Sequence, residues 1–223
     1  VRSHDALAFV GDEIRVINRV PGNVDHQYVL RGTDGQVTGK LKPEARRGCQ
    51  HGATQFYCIT PQAMTAYDNK TLRQVWQREL LDDYTTSQHL VDGKTVYIAE
   101  GGKVVGIDES GRVTFSFELK SPPFRPQVNR ILGIVKGTMV VTVVDWVTRN
   151  GMGQIWGLDM AKGVRKWMKP LTAPAYTEKA VQLVDERLVY ADATTVNVVA
   201  AGSGGLTGTA LHQLKGPATK VPT

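Results

Sequence analysis

The sequence predicts an all-β fold built from repeated four-stranded antiparallel sheets, and three observations support this prediction. Short runs of β-branched and aromatic residues alternate with turns, and Asp92-Gly93 and Gly101-Gly102 are strong hairpin signals. No segment shows a convincing helical pattern. The same strand–turn–strand pattern occurs five times in 223 residues, and a repeat at this period indicates a repeat architecture.

The five copies align on the polar turn that precedes the last strand of each repeat. The anchor residues of these turns are Gly35, Leu72, Gly111, Gly163 and Gly204. Their separations, the differences between successive residue numbers, are 37, 39, 52 and 41. Leu72 is the exception to the glycine pattern.

Residues at a fixed distance from the anchor reinforce the alignment. Four residues past the anchor, the middle three repeats carry Trp76, Phe115 and Trp167. The outer two repeats carry Gly39 and Gly208 at that place. The terminal repeats are therefore the degenerate ones.

Each repeat is predicted to hold four short strands. Gly11-Asp12, Pro61-Gln62 and Asp92-Gly93 separate strands, and Pro170 and Pro174 close the fourth repeat. The predicted strands are 6–10, 13–20, 27–31, 36–41, 48–50, 56–59, 64–67, 74–80, 87–91, 95–99, 104–107, 113–119, 130–135, 138–146, 155–158, 164–168, 180–184, 187–191, 196–200 and 206–214.

Five such units suit a β-propeller of four-stranded blades, because radial repetition leaves only short sheet edges. One propeller domain is predicted over residues 1–215, with a flexible tail at 216–223. About five blades fit a closed ring, and part of a seven- or eight-bladed ring fits almost as well. The blades are predicted at roughly 5–42, 46–80, 86–119, 129–169 and 179–214.

The repeat turns resemble those of a known family. GLDMAKGVRKW at 157–167 is the best match to the AxDxxTGxxxW-like turns of pyrroloquinoline-quinone (PQQ)-type β-propellers, a quinoprotein-like and WD40-like family. The resemblance covers nearly the whole chain and extends to the propeller lipoproteins that support outer-membrane barrel assembly, which have more blades. It implies that Trp76, Phe115 and Trp167 pack between neighbouring blades.

The resemblance also implies a binding face. In this family, the connections between blades share one face with those between the second and third strands of each blade. Aromatic and arginine side chains, which anchor many protein–protein interfaces, gather there, and the alternative is that they only cap the blade ends. The residues concerned are Arg46, Arg47, Tyr84, Phe124, Arg125, Trp146, Arg149 and Tyr176.

The two cysteines, Cys49 and Cys58, flank a turn-like stretch. On a hairpin their thiols would face each other across adjacent strands, where a disulfide is geometrically allowed. Such a bond would indicate an oxidising compartment. The alternative is a pair of free, half-buried thiols.

Charge and hydropathy narrow the classes of partner. The net charge is +6, but no Lys/Arg run exceeds two residues, so nucleic acid is not an expected partner. The longest apolar stretch, 131–147, is interrupted by Lys136-Gly137 and Asp145 and is too short to span a membrane. Membrane association would need a segment absent from this chain.

No catalytic motif is found, and no cofactor or metal is predicted. The five histidines are dispersed, and no acidic cluster suits a hard cation. A carbohydrate-active enzyme would instead need paired carboxylates. The acids near the predicted face that could supply them are Asp25, Asp82, Asp83, Glu100, Asp145 and Asp192.

The resemblance and the cysteines together favour a non-catalytic, extracytoplasmic scaffolding propeller that recruits a protein partner in the bacterial cell envelope. A ligand-sensing ectodomain of a membrane protein, with a small molecule in the central channel, is the first alternative. A carbohydrate-active propeller enzyme is the second. A fold alone does not choose between these functions.

Overall fold

A computed structural model describes residues 7–10, 12–18, 26–41, 49–59, 63–80, 89–120, 126–145, 152–174, 181–191 and 196–207. These ranges hold nineteen β-strands and no helix. The strands are β1 (Leu7–Val10), β2 (Glu13–Asn18), β3 (His26–Arg31), β4 (Val37–Leu41), β5 (Cys49–His51), β6 (Gln55–Ile59), β7 (Ala63–Asp68), β8 (Gln74–Glu79), β9 (His89–Asp92), β10 (Thr95–Glu100), β11 (Lys103–Asp108), β12 (Val113–Glu118), β13 (Pro126–Val135), β14 (Thr138–Asp145), β15 (Met152–Asp159), β16 (Val164–Pro174), β17 (Val181–Val184), β18 (Arg187–Ala191) and β19 (Val196–Ala200).

The strands form five sheets in chain order, each with sequential neighbours paired. Four sheets have four strands, β1–β4, β5–β8, β9–β12 and β13–β16, and the fifth has β17–β19. An isolated bridge between Val199 and Leu206 extends the fifth sheet, while 208–214 of its predicted fourth strand lie outside the described residues. The predicted fold class, an all-β propeller of about five antiparallel blades, is confirmed.

Two compact units divide the chain, Val1–Ser116 and Phe117–Thr223, with the boundary inside β12. Each has a buried apolar core. In the first unit the core is Tyr57, Ile59, Met64, Ala66, Val96, Ile98, Val105 and Ile107. In the second it is Val135, Val140, Val144, Ile155, Leu171, Val181, Leu188, Tyr190, Val199 and Ala201. The limits of the whole domain and its tail stay a prediction.

The anchor turns share one backbone conformation, which explains their glycines. All five anchors have positive φ: 69° at Gly35, 58° at Leu72, 85° at Gly111, 63° at Gly163 and 71° at Gly204. Glycine adopts this left-handed region without steric penalty, whereas a side chain is strained there by about 1–2 kcal/mol. Leu72 therefore keeps the turn of its repeat at a conformational cost.

An aspartate at the start of three of these turns holds the turn closed. Asp68 Oδ1 accepts hydrogen bonds from the backbone N–H of Lys70 and Thr71, and Asp108 and Asp159 make equivalent bonds in their own turns. Hydrogen bonds favour the carboxylate and lower the pKa of all three aspartates, at Asp108 chiefly through the bond donated by the Ser110 side chain. The recurring turn acids are thus structural.

A β-bulge recurs at the same place in three outer strands. The pairing skips one residue of the last strand, Thr38 in β4, Val75 in β8 and Lys166 in β16. The next residue is Gly39, Trp76 or Trp167, and it lies opposite Val29, Ala66 or Gly157 of the third strand. The repeats therefore agree in register as well as in turn type.

The fourth sheet is longer than predicted, and the expectation that Pro170 ends its last strand is wrong. β16 continues to Pro174, with Pro170 paired opposite Gln154. β16 is the last strand in the order of its sheet. A proline in such an edge strand need not remove a hydrogen bond of the ladder, because its nitrogen can face away from the neighbouring strand.

Candidate functional site

The predicted binding face depends on loops that fall outside the described residues. All eight of its residues, Arg46, Arg47, Tyr84, Phe124, Arg125, Trp146, Arg149 and Tyr176, lie in those segments. Of the six acids considered for a carbohydrate-active site, Glu100 is the one whose side chain is described. The grouping of these residues into one face stays a prediction.

The described residues do include the end of the second and third sheets that this face would occupy. We call this end of a sheet, where its second strand ends and its third begins, the B–C edge. The name refers to the ends of the strands and not to an outermost strand. In the third sheet, Glu100 ends β10, a Gly101-Gly102 turn follows, and Lys103 begins β11 opposite Glu100. In the second sheet, β8 also ends at this edge, because Glu79 pairs with Ala63 at the start of β7.

An ion pair joins these two sheets at the B–C edge. Arg78 Nη2 of β8 donates a hydrogen bond to Glu100 Oε2 at 3.1 Å. The Glu100 side chain is 2% exposed and that of Arg78 is 23% exposed. Burial raises the pKa of Glu100, while the charges of Arg78 and Lys103 act in the opposite direction. The carboxylate is thus held in a largely dry site by a half-buried guanidinium.

The other oxygen and the other terminal nitrogen of this pair, Glu100 Oε1 and Arg78 Nη1, are also buried, and neither has a hydrogen-bond partner within the described part of the chain. Sequence reasoning ranked Glu100 only as a candidate acid near the face and missed Arg78, because pairing between sheets leaves no short-range signal.

The disulfide is present, as the hairpin geometry allowed. Cys49 of β5 pairs directly opposite Cys58 of β6, and their Sγ atoms are bonded. Both residues are buried and pack with Phe56, Tyr67 and Leu72. Since β5 has only three residues, the covalent bond secures a strand that few hydrogen bonds hold.

Replacing both cysteines by alanine should lower the free energy of unfolding by about 2–3 kcal/mol, because the bond closes a short loop in the unfolded chain. Urea unfolding followed by circular dichroism measures this change. The wild-type chain under reducing conditions is the control and should lose a similar amount. A loss below about 0.5 kcal/mol in both experiments would show that β5 is held by other contacts.

A buried histidine lies on the strand next to the disulfide-bonded hairpin. His89 of β9 is 4% exposed, and its Nε2 donates a 3.0 Å hydrogen bond to the carbonyl oxygen of Tyr57. Burial, with a smaller effect from His51, lowers the pKa of His89 to about 4, although the hydrogen bond to Tyr57 acts in the opposite direction. His89 is therefore neutral inside the first unit.

The depressed pKa makes stability depend on pH. The unfolded chain takes up a proton at His89 near pH 6.5, whereas the folded chain resists protonation until about pH 4. The contribution of neutral His89 to the free energy of unfolding is therefore fully present above pH 6.5. It is lost as the pH falls from about 6.5 to about 4, by up to about 3 kcal/mol. Urea unfolding of His89→Gln, which keeps a donor but cannot titrate, should show a flatter pH profile. If the free energy of unfolding changed equally with pH in the wild type and in His89→Gln, the attribution of the pH dependence to His89 would be contradicted.

Two of the predicted aromatic residues contact the following sheet. Trp76 Nε1 donates to the Glu109 carbonyl at 3.2 Å, and a Cβ on Gly111 would lie 3.0 Å from the indole Cγ. Trp167 Nε1 donates to the Ala201 carbonyl at 3.1 Å.

Phe115 contacts residues of its own sheet. Its ring lies edge-on to Tyr97, with the centroids 6.1 Å apart. Its Cβ lies 3.0 Å from the position that a Cβ on Gly106 would take. Whether it also packs against the next blade stays a prediction.

The residues with described positions hold neither a group of metal-ligand side chains nor a membrane-spanning helix. Within those ranges, no three side chains of His, Cys, Asp or Glu are grouped to hold a metal ion. No helix there is long and apolar enough to cross a membrane.

Comparisons with known proteins agree with the repeat pattern. The family model described as outer membrane protein assembly factor BamB matches residues 61–216. Among solved structures, the quinohemoprotein alcohol dehydrogenase ADHIIG of Pseudomonas putida HK5 has a TM-score of 0.64 at 15% identity, over 92% of this chain and 41% of that one. The predicted resemblance to PQQ-type propellers is thereby confirmed. No curated protein matches the chain at a significant level.

Two further structures extend the likeness beyond quinoproteins. The WD40 domain of SCAP from fission yeast has a TM-score of 0.56 at 11% identity, over 93% of this chain and 55% of that one. Apo AztD from Citrobacter koseri has a TM-score of 0.55 at 15% identity, over 94% and 61%. At such identities the likeness shows the fold alone, and the chain spans less than two thirds of each of these three proteins.

Proposed function

Because the chain belongs to the family described as outer membrane protein assembly factor BamB, we propose that it is a non-catalytic propeller that binds a protein partner in the bacterial cell envelope. The family match over residues 61–216 is the observation that carries this proposal. The family is that of an assembly factor, and an assembly factor acts through contacts with other proteins.

The disulfide supports a location outside the cytoplasm. Cytosolic proteins rarely keep a structural disulfide, because cellular thiols reduce it. Cys49 and Cys58 are bonded and buried within one hairpin, so the bond has a structural rather than a redox-active setting. An envelope protein that folds in an oxidising compartment would form such a bond.

The predicted face supports the choice of a protein as partner. Its eight residues are arginines and aromatics, the side chains that dominate binding energy at protein interfaces. The described part of the same edge adds the Arg78–Glu100 pair, which is anchored in two sheets. Rigid strands beneath variable loops are a common support for binding residues.

Affinity capture tests the proposal. The immobilised chain is incubated with detergent-solubilised envelope from the source bacterium, and the same is done with Trp146→Ala/Arg149→Ala on the predicted face. The matched control is Lys70→Ala/Arg73→Ala, two exposed residues in the anchor turn at the opposite edge of the second sheet. We expect an envelope protein that wild type and control retain and that the face variant loses at least about tenfold, as for hot-spot residues.

Two results would contradict the proposal. Equal retention by all three proteins would show that the partner does not use the predicted face. Retention of cytoplasmic proteins only would argue against the envelope location, and the small-molecule and carbohydrate alternatives would then be the ones to pursue.

A further inference from the structure

Met168 carries an exposed thioether on the last strand of the fourth sheet. It lies on β16 directly opposite Trp156 of β15, and 41% of the residue is exposed. Two other methionines, Met64 and Met139, are fully buried. Oxidation of methionine to its sulfoxide requires that the oxidant reach the sulfur. Met168 is therefore much more open to this modification than the two core methionines.

An arginine is positioned at the sulfur of Met168. Arg165 Nη1 lies 3.9 Å from Met168 Sδ. The Arg165 guanidinium also lies over the buried indole of Trp156, with its Cζ 4.6 Å from the ring centroid. Because such a cation–π contact is attractive, it holds the guanidinium in this position. The donor is thus kept beside the sulfur instead of extending into solvent.

The thioether is a poor partner for this donor, and a sulfoxide would be a good one. Thioether sulfur is only a weak hydrogen-bond acceptor, whereas oxidation makes the side chain polar. The methionine side chain is unbranched and rotates readily, so the sulfoxide oxygen can turn toward Arg165 Nη1. There it accepts a charge-assisted hydrogen bond, which is stronger than a bond between neutral groups.

We propose that Met168 is a site of reversible oxidation by hydrogen peroxide, and that Arg165 binds the sulfoxide oxygen. The sulfur attacks one peroxide oxygen, so an S–O bond forms and the O–O bond breaks. The sulfur gives up two electrons, and the second oxygen takes the proton of the first and leaves as water. Methionine sulfoxide reductases reverse the change, with two thiols becoming a disulfide while the oxygen leaves as water.

The fold should tolerate this modification. A sulfoxide disrupts a core because it is polar, but Met168 is partly exposed and its sulfur contacts Arg165. Both cysteines of the chain, Cys49 and Cys58, are already bonded to each other, so no free thiol competes for the oxidant. The chemistry of Met168 does not depend on the proposed protein partner.

Peptide mass spectrometry tests the site of oxidation. The full chain is treated with hydrogen peroxide, and the sulfoxide fraction at each methionine is followed with time. We expect Met168 to react at least about tenfold faster than Met64 and Met139. The two epimer-specific methionine sulfoxide reductases, supplied with dithiothreitol, should then restore Met168 in the folded chain. Equal rates at the three methionines, or no restoration by the reductases, would overturn the proposal.

Urea unfolding of the reduced and oxidised chains tests the role of Arg165. In the wild type, oxidation should change the equilibrium constant of unfolding by less than about twofold. In Arg165→Leu, which keeps an apolar side chain beside Trp156 but no donor, oxidation should raise this constant at least about fivefold. Lys166→Leu is the matched control and should behave as the wild type, because Lys166 is an exposed cation of the same strand that contacts Thr138 instead. Equal effects of oxidation in Arg165→Leu and the wild type would contradict the role of Arg165.

Two further measurements keep the result clear. Met168→Leu treated with peroxide in the same way gives the effect of the other methionines, which is subtracted. In the wild type, the Arg165 Nε–Hε NMR resonance, assigned by its loss in Arg165→Lys, should shift on oxidation and return after reduction. An unchanged resonance would contradict the proposal even if Arg165→Leu fails to fold. A failed capture assay would leave the oxidation of Met168 standing, and absence of oxidation would leave the proposed partner binding standing.

Discussion

Replacing Gly204 by alanine should lower the free energy of unfolding by about 3 kcal/mol or more, because two costs add. Gly204 has a φ of 71°, where any Cβ is strained. A Cβ there would also lie 2.5 Å from Cγ of Trp167 and 2.9 Å from its Cβ, so the indole would have to leave its place against the fifth sheet. Urea unfolding followed by circular dichroism measures the loss.

Gly163→Ala is the matched control for this substitution. Gly163 has nearly the same backbone, with a φ of 63°, but a Cβ there meets nothing within 4 Å. It should cost only the conformational term, about 1–2 kcal/mol. The difference between the two variants isolates the packing of Trp167 on the following turn. Equal losses would show that Trp167 moves aside freely and that this contact contributes little.

Gly39→Trp should be the second severe change, with a loss of about 3 kcal/mol from overpacking on two sides. When the five repeats of this chain are aligned, two of the others carry a tryptophan at this position. The substitution therefore restores the repeat pattern. In the first sheet, however, Val29 lies opposite Gly39 where the other two sheets have Ala66 or Gly157. Leu72 fills the remaining space, since a Cβ on Gly39 would lie 2.8 Å from its Cδ1.

The first sheet has a small residue at Gly39 and larger ones at Val29 and Leu72, and substitutions can reverse this distribution of side-chain sizes. In Gly39→Trp/Val29→Ala/Leu72→Gly the tryptophan gains the room that Trp76 has, and Leu72→Gly also removes the strain of a leucine at a φ of 58°. We expect the triple variant to recover at least about half of the loss caused by Gly39→Trp alone, because contacting residues couple by about 0.5–3 kcal/mol. A triple variant less stable than the single one would mean that the three positions do not compensate one another.

The fold could be predicted from the sequence because its signals are local. A left-handed turn position favours glycine, and an aspartate three or four residues earlier closes the turn, so Gly111 and Gly163 mark their blades without help from the rest of the chain. The hairpin also allowed a bond between Cys49 and Cys58, although it left free thiols open as the alternative. The end of β16 was missed, because tolerance of Pro170 depends on which strands lie beside it.

The site could not be predicted to the same depth, since its chemistry depends on pairs between sheets. Arg78 and Glu100 are 22 residues apart, and neither belongs to a motif. His89 reads as one of five scattered histidines until burial and the Tyr57 carbonyl define its state. The role of Leu72 could not be predicted either, because it fills space beside Gly39 and Val29 and this packing is visible only in the structure.

The bulge shared by β4, β8 and β16 has a consequence for the behaviour of the chain at high concentration. Each of these strands begins at an exposed valine or has one next to its first residue, Val37, Val75 or Val164, a composition that would invite aggregation through flat edges. The skipped residue interrupts the regular spacing of backbone donors and acceptors and increases the local twist. A regular strand from another molecule therefore pairs poorly along these three strands, which disfavours fibril growth by edge pairing there.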